Sequence, residues 1–307
     1  MENNTTIAFI DSGIGGLIFA CESIIAMQEI PHKIQNNHLS FLHIGDTKNV
    51  PYGLKTPSQL IILIQNLLEE CKKLGATIVV IACNTAATVL DEEFLNTYRQ
   101  QGMEIILIIN KSAEALYNST PVINNEKHIL VLGTRQTILS NKYKEALLLC
   151  DKLSHNGNKL FIHQYSPIRW EHEIEKGIKR NEIQIMVNED LSLFKHEIGK
   201  DFEKITSVGL FCTHYPYFKN EIHQYFSQNT QIGDKIQLAS QGAIFAEVIA
   251  HEVNKVNGLD AVKHFKQNNE SDGKILINSY ITGDEIAPIQ TAISNIYPEI
   301  PVIFHKI

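Results

Sequence analysis

The sequence predicts an α/β protein made of two similar doubly wound lobes with mostly parallel sheets. Three observations carry this expectation. Short apolar runs rich in β-branched residues alternate with longer amphipathic stretches, as in repeated βαβ units. The short runs are apolar throughout rather than alternating, which suits strands covered on both faces. The chain has 307 residues, and one domain takes about 100–200 residues.

Strands are expected at 7–10, 39–44, 78–83, 105–109, 129–132 and 207–212. Helices are expected at 17–28, 57–74, 140–149 and 182–198. The pattern looks doubled. A strand ending in a small polar turn at Asp11 precedes one ending at Cys83, and a strand ending at Gly133 precedes one ending at Cys212. Crossovers near 111–125 and 228–235 divide the chain into a first lobe, 1–111 plus 237–307, and a second lobe, 112–236. Residues 236–238 and 243–251 are read as the return to the first lobe.

Composition narrows the function. Apolar residues make up 44% and charged residues 20% of the chain, which is ordinary for a globular protein and excludes a disordered one. Lys and Arg number 27 against 34 Asp and Glu, a net charge of −7. That balance gives no electrostatic footprint for nucleic acid or an anionic membrane. No apolar run reaches the ~18 residues of a membrane span. Residues 1–6 are polar and acidic and run straight into a strand, unlike a secretory signal. The five cysteines are scattered, with no Cys-x-x-Cys pair. This reads as a reduced, cytoplasmic protein.

In open α/β sheets ligands sit outside the carboxyl ends of the strands. Four strand-end turns fall there: Asp11-Ser12-Gly13-Ile14-Gly15-Gly16, Cys83-Asn84-Thr85, Gly133-Thr134 and Cys212-Thr213-His214. Cys83 and Cys212 each precede a hydroxyl residue and a helix start, where a thiol's pKa is expected to fall toward neutrality. Cys21, Cys71 and Cys150 lie within helix-like patterns and read as small buried hydrophobes. Two facing cysteines, one thiolate and one thiol, can take a proton from one face of a carbon and return one to the other. That inverts a stereocentre without a cofactor.

The Gly13, Gly15 and Gly16 spacing matches neither a dinucleotide fingerprint nor a P-loop. Asp11 there suits an ammonium group or a neighbouring cysteine, or simply caps its turn. His214 can hold a proton beside Cys212. Ser12, Asn84, Thr85 and Thr213 offer neutral donors to a carboxylate, or ordinary helix caps. Val50-Pro51-Tyr52-Gly53 reads as a tight turn with positive φ at Gly53, whose amides could bind a carboxylate. Two other chemistries use the same residues. One is a cysteine hydrolase with Cys212, His214 and Asp11. The other is a zinc site from Cys83, Cys212, His214 and Asp11.

Together these motifs resemble the glutamate racemase family. The matching stretches are Phe9-Ile10-Asp11-Ser12-Gly13-Ile14-Gly15-Gly16, Gly45-Asp46-Thr47, Pro51-Tyr52-Gly53 and Ile81-Ala82-Cys83-Asn84-Thr85-Ala86. Gly133-Thr134 with Thr137, Ser140 and Tyr143 also fits, as do Cys212-Thr213-His214-Tyr215-Pro216, Ser240-Gln241-Gly242-Ala243 and Ile281-Thr282-Gly283-Asp284.

The resemblance implies cofactor-independent interconversion of L- and D-glutamate, supplying D-glutamate for peptidoglycan, with no metal. It implies Cys83 and Cys212 as proton donor and acceptor, assisted by Asp11 and His214. Asp11, Ser12, Tyr52, Gly53, Asn84, Thr85, Thr213 and His214 would line the substrate site. Two α/β lobes with the site in the cleft, commonly as a homodimer, complete the expectation. A racemase for aspartate or another amino acid fits the same motifs, as does a binding protein that keeps the fold without turnover.

Three features depart from the family pattern. Phe211 stands where the family usually has Gly, and is expected to narrow the site or move Cys212. Residues 164–173, with the sole tryptophan, Trp170, replace a more apolar stretch, although Glu175-Lys176-Gly177 resembles the family's ending of it. Asn49 and Leu54 flank the Tyr52 turn in an unfamiliar way. Trp170 is read as a packing aromatic.

Overall fold

The computed structural model describes residues 5–30, 39–256, 276–283 and 286–307. Asp284 lies outside the described residues, as do residues 1–4 of the polar N-terminal stretch. The chain divides into two compact units, Met1–Ile108 with Gly242–Ile307, and Ile109–Gln241.

The first unit holds strands β1 (Thr5–Asp11), β2 (Leu39–Gly45), β3 (Ile78–Ile81) and β4 (Glu104–Leu107). The second holds β5 (Glu126–Gly133), β6 (Lys159–Tyr165), β7 (Ser207–Phe211) and β8 (Gln237–Ser240). Strands β9 (Ile277–Ile281) and β10 (Val302–Lys306) belong to the first unit. Its sheet runs β10-β9-β2-β1-β3-β4, and the second runs β6-β5-β7-β8. Every strand pair is parallel.

The two sheets share one plan: in each, the first four strands lie in the order second, first, third, fourth. The connection out of the first strand goes one way and the third strand lies on the other side. The carboxyl ends of the first and third strands therefore flank a topological switch point, where α/β sheets bind ligands. Those ends carry Asp11 and Cys83 in one unit, and Gly133-Thr134 and Cys212 in the other.

Apolar runs made these strands because both faces are covered. All four residues of β3 and all five of β7 are buried. Helix Pro57–Lys73 shows how the cover forms. Thr56 and Gln59 make a reciprocal capping box, Pro57 opens the first turn, and Leu60, Ile64, Leu67, Leu68 and Cys71 bury one stripe at helical spacing.

Some boundaries differ from expectation. β3 and β7 stop before their cysteines. The apolar run 105–109 leaves its strand at Leu107 and passes into helix Ile109–Ser119. Residues 236–238 do not begin the return to the first lobe. Gln237–Ser240 forms β8, whose backbone completes the second sheet against β7. Among the described residues no helix is long and apolar enough to cross a membrane.

Candidate active site

The predicted residues fall into two clusters, one per unit. In the first, Asp11 ends β1, is buried, and caps its own turn: Oδ1 accepts from Gly13 N at 3.0 Å and from Ser12 Oγ at 3.4 Å. Gly13 then precedes helix Ile14–Gln28. Gly16 is demanded by close approach, since a Cβ there would lie 2.3 Å from Asp11 Cβ and 2.9 Å from His43 Nε2. His43 is buried on β2, and its Nδ1 lies 3.0 Å from Ser279 Oγ.

Cys83 follows β3 as the N-cap of the single-turn helix Asn84–Ala87, and Cys83, Asn84 and Thr85 are all buried. Tyr52 joins them. Its hydroxyl donates to Asp46 Oδ2 at 2.8 Å. Burial holds the phenol neutral, helped by Asp46 and by the ionisable Cys83 and Asp11 nearby. Gly53 does not take positive φ. It sits inside a 3₁₀ turn, Tyr52–Leu54, which keeps the chain in negative φ.

Sequence reasoning placed Asp46 in a matching motif but gave it no role. Asp46 is buried and accepts from Asn49 Nδ2 (2.9 Å), Tyr52 Oη (2.8 Å) and Thr282 Oγ1 (2.8 Å). It therefore ties the Tyr52 turn to the end of β9. The unfamiliar Asn49 belongs to this anchor, while Leu54 is 79% exposed and takes no part in it. The signal available in the sequence was an aspartate at a strand end, as at Asp11.

In the second unit, Cys212 stands just beyond β7, followed by Thr213 and His214, all buried. No helix starts at once; a 3₁₀ turn, Tyr215–Phe218, intervenes before helix Lys219–Asn229. The expected lowering of the Cys212 pKa is not found. Burial pushes the thiol up, and the His214 hydrogen bond opposes this without reversing it.

His214 Nδ1 lies 3.7 Å from Cys212 Sγ, and Nε2 lies 2.6 Å from Glu175 Oε1. Burial alone would lower the imidazole's pKa, but the contacts to Cys212 and Glu175 outweigh it and hold His214 well above its usual range. Thiol and imidazole thus compete for one proton, with Glu175 favouring its residence on His214. Glu175 was missed as a functional residue because 39 residues separate it from His214. Only the likeness of its own tripeptide marked it.

Phe211 packs into the second unit. It is fully buried and stacks on Tyr143 at 3.9 Å between ring centroids. Gly209 leaves room for it, since a Cβ there would lie 2.6 Å from the Phe211 ring. Tyr143 Oη in turn accepts from Gln241 Nε2 at 2.8 Å. Trp170 is also fully buried, as its reading as a packing aromatic requires.

A thiol, an imidazole and a carboxylate in this order can hold, take or return a proton, or activate a nucleophile. The carboxylate on His214 Nε2 is that of Glu175. Among the described residues, no three His, Cys, Asp or Glu side chains group as metal ligands.

Known proteins bear on the choice. No protein-family model matches the chain. A glutamate racemase of Clostridium novyi (strain NT) is 31% identical over 229 residues, 74% of this chain and 78% of that protein. The structure of glutamate racemase isoform RacE1 from Bacillus anthracis superposes with a TM-score of 0.71 at 22% identity, covering 99% of this chain and 98% of that one. Glutamate racemase from Francisella tularensis subsp. tularensis SCHU S4, solved in complex with D-glutamate, gives 0.69 at 19% identity, covering 100% and 98%.

Proposed function

Because the chain belongs to the glutamate racemase family and is an amino-acid racemase, an isomerase, we propose that its substrate is glutamate and that Cys83 and Cys212 move the protons. The observation that carries the reading is the equivalent placement of the two thiols. Each follows the third strand of its own sheet, at a switch point.

The thiolate of one cysteine takes the α-hydrogen as a proton. The C–H electron pair stays on the α-carbon, delocalised into the carboxylate. The S–H of the other cysteine then gives its proton to the opposite face and becomes the thiolate. No electrons leave the system, so cysteine suffices without a redox or carbonyl cofactor. Burial pushes the Cys212 thiol up, so its thiolate is reached by passing the proton to a neighbouring base rather than by free ionisation. On the second side, His214 takes and returns the Cys212 proton, held by Glu175. We assign Cys212 to L-glutamate and Cys83 to D-glutamate.

Ser12, Asn84, Thr85 and Thr213 supply neutral donors to the substrate carboxylates, and Asp11 faces its ammonium group. The Tyr52 hydroxyl is committed to Asp46, so the Tyr52-Gly53 turn serves substrate through its shape and backbone. The same reading makes the protein a cytoplasmic homodimer that supplies D-glutamate for peptidoglycan.

Proton NMR in D₂O tests the substrate. Loss of the α-proton signal from both L- and D-glutamate, with inversion, is expected. Exchange confined to aspartate, run in parallel, would move the substrate and keep the chemistry. No exchange with either amino acid would end the proposal.

A further inference from the structure

The His214–Glu175 pair is gripped by one side chain outside it. Trp170, the only tryptophan, is fully buried and opens the helix Trp170–Glu175 that Glu175 closes. This helix has six residues, and no side chain caps its N-terminus. Helices so short are unstable alone and hold their place through tertiary contacts. Here the contact is directional. Trp170 Nε1 donates to Asp190 Oδ2 at 2.8 Å, and both residues are buried. Asp190 stands on the long helix Arg180–Ile198, and its backbone carbonyl accepts from Tyr165 Oη at 2.9 Å.

The same indole packs edge-on against Tyr215 (5.1 Å, 72°) and Phe218 (5.5 Å, 82°). Those rings bracket the 3₁₀ turn that directly follows His214. The buried Tyr215 hydroxyl has no hydrogen-bond partner among the described residues, so packing fixes that ring. Trp170 therefore contacts both segments that carry the 2.6 Å pair.

We infer that Trp170, anchored by Asp190, is a positioning residue that sets the approach of Glu175 to His214 and thereby the contact of His214 with Cys212. The inference rests on the two-thiol reading above. Its test needs a readout that simple loss of folded protein would leave still.

Racemisation of protiated and α-deuterated glutamate supplies one. The enantiomers are equally stable, so any variant must lose kcat/KM equally in both directions. Deuterium isotope effects are not bound by this. Slowing proton transfer at Cys212 alone makes C–D cleavage more limiting for the enantiomer that Cys212 deprotonates. For the other enantiomer, cleavage becomes less limiting.

Trp170→Phe keeps an edge-on ring and removes the donor. Asp190→Leu removes the acceptor, and Asp190→Asn keeps an acceptor oxygen. We expect kcat/KM to fall about tenfold in Trp170→Phe and Asp190→Leu, the scale of a small misplacement. The isotope effect should rise with L-glutamate and fall with D-glutamate. Asp190→Asn should recover most of the rate. Thermal melting checks folding, and Trp170→Phe with Asp190→Asn carries the test if Asp190→Leu does not fold.

Activity lost with both isotope effects unchanged would overturn the inference, since that is the result for a tryptophan that only packs. His214→Asn, run alongside, separates the two levels. If it too leaves the isotope effects together, the His214 step of the two-thiol reading fails. If it splits them and Trp170→Phe does not, only the positioning role falls.

Discussion

At His214 three influences meet on one ring. Burial opposes the imidazolium, while Cys212 on one nitrogen and Glu175 on the other favour it and prevail. A hydrogen bond to a charged group contributes about 1.5–3 kcal/mol net, so removing one is felt as about 10–100-fold. Glu175→Gln keeps the shape and removes the charge. Losing a partner that favours the protonated ring lowers its pKa. The alkaline limb of the pH–rate profile should therefore move to lower pH, with kcat/KM down about 10–100-fold. Racemisation rates measured across pH check both. A profile unmoved in position would mean that Glu175 does not govern the His214 proton.

At the scale of elements, β7 shows how an unusual residue is absorbed. Phe211 lies over Gly209 on the same strand and under Tyr143 of helix Lys142–Ser154. Truncating a fully buried Phe to Ala costs about 3–5 kcal/mol. Phe211→Ala should lower urea-unfolding stability by that amount, and a loss below about 1 kcal/mol would contradict the packing described.

The same strands explain what could be read in advance. The ends of β1, β3, β5 and β7 were legible because apolar runs give way to polar turns there. β6, with Lys159, His163 and Gln164 on a sheet edge, has an apolar run of only three residues, Leu160, Phe161 and Ile162, and was not anticipated. β9, whose burial alternates, and β10, the edge strand with no buried residue, were missed as well. The cysteines, Asp11 and His214 could be named from their turns. Glu175 and Asp46 could not be given roles, since their partners are set by tertiary packing. The Cys212 pKa went the other way because burial, which local sequence does not report, outweighs its neighbours.

For the whole molecule, one fold plan is used twice and sets a cysteine just after the third strand of each sheet, and the proposal is that both thiols serve one substrate. The likeness of the sheets, each with its first four strands in the same order, is what places a thiol after the third strand of each. The measurement that tests this most directly is α-proton exchange in D₂O by Cys83→Ala and Cys212→Ala. Each variant retains one thiol, so each should exchange one enantiomer and invert neither: L-glutamate for Cys83→Ala and D-glutamate for Cys212→Ala. Either variant racemising glutamate at the wild-type rate would contradict the account.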